Sequence, residues 1–181
     1  DAFRHLHFDD ANRETVDAVL DEAARFCETV LAPLNKVGDE FGVEYDKATA
    51  SVTTAPGFKE AYVQFAEGGW GGLAAPAEFG GLGLPHVLGM PLEEMVDAAN
   101  LAWGNFPLLS HGAANALRLH GEDWQREVFL TRLVSGEWTG TMCLTEPHCG
   151  TDLGLLKTRA EPNADGTHSI SGTKIFITAG E

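Results

Sequence analysis

The chain carries 181 residues, 44% of them hydrophobic, enough to bury a core in one domain or one domain plus part of another, which argues against disorder. Its 12 Lys and Arg against 27 Asp and Glu give a formal charge of -15, scattered along the chain as a solvated surface. That balance argues against direct nucleic-acid binding, which needs clustered cations, and no apolar run approaches the roughly 20 residues of a membrane span.

From Asp9 to about Leu34, Val16, Val19, Leu20, Ala23, Cys27, Val30, Leu31 and Leu34 recur at three- and four-residue steps, which predicts a long amphipathic helix capped by Asp9 or Asp10. Lys36 to Ala55 is polar without a clear period and reads as a connector. Helical spacing resumes from Gly57 to Glu67 through Phe58, Ala61, Tyr62 and Phe65. The stretch from Gly68 to Pro85 holds too many Gly and Pro for regular structure and is expected to be a long structured loop. Further helices are predicted over His86–Asp97, about Phe106–Leu119 and Trp124–Val134, five in all, with Gly, Asn or Pro as punctuation.

After Gly136 the pattern changes. Trp138–Thr145, Leu155–Ala160 and His168–Thr178 read as strands, with Asp165-Gly166 as a hairpin turn between the last two. Helices followed by strands imply a mainly α N-terminal helical domain, residues 1–136, leading into the first strands of a β domain, residues 137–181. Because Asp1 is not an initiator Met and the last strand stops abruptly at Glu181, a piece of a longer chain is expected.

Three cysteines, Cys27, Cys143 and Cys149, show no CxxC pairing, and seven scattered histidines, including His5 and His7, form no HExxH, so neither a disulfide framework nor a metal site is expected. A reducing, cytoplasmic setting fits that usage. The glycines at 68–83 lack the GK[ST] ending of a phosphate loop, and a chain-reversing turn is the better reading. Glu93 and Glu94 are helix neighbours facing different ways and do not form a paired-carboxylate site.

Two segments could carry chemistry. In Met142-Cys143-Leu144-Thr145-Glu146-Pro147-His148-Cys149-Gly150-Thr151-Asp152 a strand enters a loop able to offer backbone N–H groups and a hydroxyl to an anion, although an ordinary strand-to-turn junction would read the same. In Gly172-Thr173-Lys174-Ile175-Phe176-Ile177-Thr178 strand alternation puts Phe176 and Thr178 on one face, suited to a planar heterocycle or to a plain sheet edge.

The TEPxxG[ST]D run at Thr145–Asp152, followed some twenty residues later by GxKxF-I-T at Gly172–Thr178, resembles the paired flavin-binding strands of the acyl-CoA dehydrogenase family. The APAEFGGLGLP loop at 74–85, the EEM helix near Glu93 and the LVSGEWTG segment stand in matching order, so the resemblance covers nearly the whole chain. Within the family the sequence most resembles the bacterial branch of methylmercaptopropionyl-CoA dehydrogenase-like proteins.

That resemblance implies an FAD-dependent oxidoreductase that desaturates an acyl-CoA thioester between its α and β carbons and passes electrons to an electron-transfer flavoprotein. It also implies a homo-oligomer, dimer or tetramer, working in fatty-acid and lipid metabolism. Met142, Leu144, Thr145, Gly150 and Thr151 would bind the flavin and its pyrophosphate, Thr151 would also touch the acyl-CoA substrate, and Phe176, Ile177 and Thr178 would flank the ring, with Thr178 near its N5 edge. Phe176 stands where the family often has Trp, and Thr151 where Ser is commoner. The resemblance places the catalytic base beyond Glu181, so no catalytic residue is assigned; Glu146 reads as a turn-stabilising acceptor, and this segment alone is expected to be inactive. An acyl-CoA oxidase-like or flavin monooxygenase-like enzyme, or a non-catalytic flavoprotein or interaction module, would show the same motifs.

Overall fold

The structure is a computed structural model that describes residue 8 and residues 10–179. Asp1, His5, His7, Asp9 and Glu181, named above, lie outside the described residues. One compact unit extends to Gly140 and a second begins at Thr141.

The first helix runs as α1 (Arg13–Phe26), a π-helical turn (Cys27–Leu31) and α2 (Ala32–Phe41). Its cap is Asn12, and not Asp10, because the Asn12 side-chain oxygen accepts the Thr15 N–H at 3.0 Å. The helix outlasts the predicted stop near Leu34. Pro33, which would clash inside an α-helix, falls in the first turn after the π turn, where the shifted bond pattern admits it. Gly38 then keeps the helix flush against its neighbour, since a Cβ there would come within 2.7 Å of the Phe58 ring.

The expected connector contains an antiparallel hairpin, β1 (Glu44–Asp46) with β2 (Ser51–Thr53), in register Tyr45↔Val52. Asp46 closes its turn by accepting the Ala48 N–H at 2.8 Å and the Thr49 hydroxyl at 2.9 Å. After α3 (Phe58–Glu67), the glycine-rich loop folds on itself. Leu82 N donates to Gly72 O, Gly83 N to Ala75 O and Leu84 N to Leu73 O, at 2.9–3.1 Å. With those N–H groups spent internally, the loop serves chain reversal.

Helical hydrogen bonding spans α4 (Gly89–His120), but Asn100 leaves helical geometry at φ -161°, ψ 85°. On a straight helix Glu93 and His111 would stand roughly 27 Å apart. Instead Glu93 Oε1 lies 3.6 Å from His111 Nδ1, so the two arms, which the sequence separates into two helices, fold back toward each other. Asn100 builds this bend. Its Oδ1 accepts the Trp103 N–H at 3.0 Å as a cap for the second arm, while its Nδ2 donates to Leu31 O in the π turn at 3.4 Å. The last helical stretch runs as α5 (Asp123–Gln125), a π turn (Arg126–Leu130) and α6 (Thr131–Ser135).

Trp103 centres the core at 0% exposure, with the rings of Phe26, Phe65 and Tyr62 at centroid distances of 6.2, 5.4 and 6.4 Å. Its indole N–H donates to Phe58 O at 3.1 Å, so the buried polar atom is satisfied. No described helix is long and apolar enough to cross a membrane.

In the second unit, β3 (Arg159–Pro162) pairs antiparallel with β4 (His168–Ser171), joined by the predicted turn in which Asp165 accepts the Thr167 N–H at 3.0 Å. Three expected strands are corrected. Trp138–Thr145 has no ladder pairing and bends at Trp138, the strand expected over Leu155–Ala160 begins only at Arg159 because Leu153–Leu155 forms a 3-10 turn, and the stretch after Ser171 is not a strand to Thr178. A strand exists only where a neighbour takes its backbone bonds. Between Gly172 and Thr178 the one such bond among the described residues is Ile175 N to Thr145 O, and Phe176 turns to φ +57°.

Candidate functional site

The two motifs lie side by side in the second unit. Ile175 N donates to Thr145 O at 2.9 Å, and the Thr141 hydroxyl donates to Thr178 O. The segments 141–146 and 174–178 therefore run antiparallel, which brings Leu144 and Thr145 beside Phe176, Ile177 and Thr178. The φ of +57° at Phe176 breaks strict alternation, so Phe176 and Thr178 are not placed on one face by pleat. Phe176 is 84% exposed and Met142 56%; Leu144, Thr145 and Ile177 are half-buried, and Thr178 is exposed.

Gly150 and Thr151 follow a tight turn closed by paired bonds between Glu146 and Cys149, at 2.9 and 3.1 Å. Both are exposed, and the Thr145 methyl would lie 3.7 Å from a Cβ at Gly150. Among the described residues the Thr145 N–H has no hydrogen-bond partner. The surface thus offers a bare aromatic ring, hydroxyls at Thr151 and Thr178, and a free backbone donor, a set suited to a flat, partly polar ligand with an anionic part.

Beneath that surface sits a polar knot that residue types alone did not reveal. The Glu146 side chain is 2% exposed; its two oxygens accept the N–H groups of Lys157 and Thr158, each at 2.9 Å, and the Lys174 ammonium at 2.9 Å. The same ammonium donates to Leu144 O at 2.9 Å. Donation from Thr158, then from the Lys157 backbone and Lys174, holds the Glu146 carboxyl far below the usual carboxylate range despite its burial. It is an acceptor locked in its ionised form, poorly suited to take a proton. Gly172, at φ +151°, passes so close to Thr158 that a Cβ would lie 2.1 Å from the hydroxyl oxygen. The signal for this knot was the spacing Gly172-x-Lys174, a backbone position open to glycine followed by a cation facing an acidic turn.

The ligand-type atoms of Glu146, His148 and Cys149 also lie within 4.8 Å of one another, a grouping that the sequence spacing did not single out. A cation entering there would meet the Lys174 ammonium on the same carboxylate, and His148 Nε2 is already 2.9 Å from Leu155 O. Cys27, Cys143 and Cys149 are all free thiols. Burial, with the Glu28 charge second, pushes the Cys27 thiol up to about 11, so it remains protonated and packs as a small apolar group. In the first unit, Glu93 pairs with His111 across the α4 bend, and Leu101 and Leu108 are exposed.

Residues 13–137 match the family model described as acyl-CoA dehydrogenase, N-terminal domain. The chain is 44% identical over 179 residues to 3-methylmercaptopropionyl-CoA dehydrogenase of Ruegeria pomeroyi, covering 99% of this chain and 29% of that protein. It is 35% identical over 170 residues to a butyryl-CoA dehydrogenase of Syntrophomonas wolfei, covering 93% of this chain and 28% of that one. Among solved structures, butyryl-CoA dehydrogenase from Megasphaera elsdenii superposes with a TM-score of 0.76 at 30% identity, over 91% of this chain and 41% of the other. The chain thus spans less than a third of the length of these two curated relatives.

Proposed function

The chain belongs to the acyl-CoA dehydrogenase family, and from that premise we propose that the whole protein uses FAD to desaturate an acyl-CoA thioester, with residues 142–178 forming part of the flavin site. The observation that carries this reading is the pairing of the two motifs through Ile175 N and Thr145 O, with Phe176 exposed and the Thr145 N–H without a partner among the described residues. These groups fit the cofactor chemically. Phe176 offers a face for a flat ring, Thr145 and Thr178 offer donors for its heteroatoms, and exposed Gly150 and Thr151 leave backbone and hydroxyl open to the pyrophosphate.

When bound, FAD supplies the acceptor for the hydride that leaves the β carbon. The residues of this chain orient that ring and the thioester; Thr151, two residues after the Glu146–Cys149 turn, would touch both. Glu146 does not take the α-proton, because its carboxylate oxygens are occupied and its affinity for a proton is low. We assign the base to a residue outside 1–181. An electron-transfer flavoprotein as acceptor, a homo-oligomeric assembly and a cytoplasmic setting complete the proposal, the last supported by three free thiols.

The test is Thr178→Ala in the full-length protein. The expected outcome is an altered flavin absorbance spectrum or slower flavin reduction by acyl-CoA. A variant equal to wild type in spectrum, FAD affinity and reduction rate would remove Thr178 from the site.

A further inference from the structure

The Lys174 ammonium is 2.9 Å from both Leu144 O and Glu146 Oε1, and its side chain is only 20% exposed. Glu146 in turn holds the Lys157 and Thr158 backbone, so one cation and one carboxylate join three stretches of chain. Between the motif segments themselves, the other polar ties among the described residues are Ile175 N to Thr145 O and the Thr141 hydroxyl to Thr178 O. Lys174 is therefore a main determinant of how Leu144 and Thr145 sit against Phe176 and Thr178.

It has an electronic consequence as well. The carbonyl that receives the ammonium belongs to the Leu144–Thr145 peptide, whose other end is the Thr145 N–H, without a partner among the described residues. A cation on the oxygen of an amide draws electron density toward that oxygen and makes the N–H a stronger donor, as hydrogen bonds in a chain polarise one another. Because Glu146 neutralises the ammonium without touching that carbonyl, the polarisation comes with no net charge in the knot.

We propose that Lys174 is a positioning residue that fixes the register of the two motif segments and, through the Leu144–Thr145 peptide, strengthens the Thr145 N–H toward an electron-rich atom of the bound ligand. This rests on the flavin reading above. A stronger donor favours whichever form of the ring carries more electron density, so Lys174 raises the flavin reduction potential.

The experiment uses the full-length FAD-loaded protein with Lys174→Met, Lys174→Arg and the neutral pair Lys174→Met/Glu146→Gln, the last guarding against misfolding around an uncompensated carboxylate. Circular dichroism reports folding, titration reports FAD affinity, and a dye-coupled redox titration reports potential. Lys174→Met is expected to bind FAD on the order of tenfold more weakly, the loss of one charge-assisted hydrogen bond, and to have a more negative potential. Lys174→Arg is expected to recover most of both, and the neutral pair to keep the negative shift. An unchanged potential in folded, FAD-bound Lys174→Met, or a return to the wild-type potential in the neutral pair, would overturn the inference while leaving the flavin reading intact. If the wild type bound no FAD, both would fall.

Discussion

Asn100 is the residue on which the helical unit turns, and its removal has a cost that can be worked from two bonds. Its side chain is buried in a residue only 1% exposed, and it caps the second arm of α4 while donating to the π-turn carbonyl of Leu31. Asn100→Ala removes the cap, worth about 0.5–2 kcal/mol. It also leaves the Leu31 carbonyl without its donor, about 1–3 kcal/mol, with the lower end apt for a 3.4 Å bond. The sum is about 1.5–3 kcal/mol. Asn100→Ser keeps a capping oxygen and loses only the arm to Leu31, so its cost is about half as large. Urea unfolding followed by tryptophan fluorescence measures both, since Trp103 lies three residues away; with a slope of about 2 kcal/mol per molar urea, Asn100→Ala moves the midpoint by about 0.8–1.5 M. A change below about 0.5 kcal/mol for Asn100→Ala, or Ser as damaging as Ala, would refute the assignment of the bend to these two bonds.

Two further predictions concern the polar knot. The Glu146 carboxyl has a folded-state pKa below its unfolded value of about 4.3, so its contribution to stability is complete above that pH and is lost as pH falls toward the folded value. The wild type is therefore expected to lose stability below about pH 4 more steeply than Glu146→Gln, measured as urea midpoints over pH 2–6; parallel profiles would contradict the ionised-acceptor role. Gly172→Ala places a Cβ against Thr158 at a φ that disfavours side chains, and overpacking of this kind costs about 1–3 kcal/mol. Its readout is a lowered Tm together with weaker FAD binding, and a variant with wild-type values for both would remove the close approach from the account.

Much of the helical unit was legible because its signals are local. The three- and four-residue spacing of Val16, Val19, Ala23 and Cys27 marks the inward stripe of α1 and the π turn that follows it, and Asn100 reads as punctuation because it is an end cap. The helix beyond Leu34 was not, since the residues from Lys36 onward are polar and show no apolar period, and the π turn before them leaves no mark in the sequence. The β1–β2 hairpin escaped for a different reason: strands of three residues, nearly all exposed, are too short to show alternation.

In the second unit the Asp165-Gly166 turn was readable from turn chemistry, whereas strands over Trp138–Thr145 and Gly172–Thr178 were inferred from composition that only pairing could realise. The candidate site follows the same division. The motifs name the residues, but that Thr145 meets Ile175, and that Lys174 reaches both Leu144 and Glu146, are tertiary facts at separations of 28 to 30 residues. No local pattern encodes them.

Anaerobic mixing shows whether the whole protein desaturates an acyl-CoA through a flavin held in part by residues 142–178, as proposed. Purified full-length protein is mixed with acyl-CoA esters of varied chain, and the flavin absorbance is followed while the thioester product is identified by mass. The expected result is a yellow protein whose flavin absorbance bleaches as a 2-enoyl thioester two hydrogens lighter appears. A protein without flavin, or a flavin that stays oxidised with every ester while the thioester returns unchanged, would contradict it.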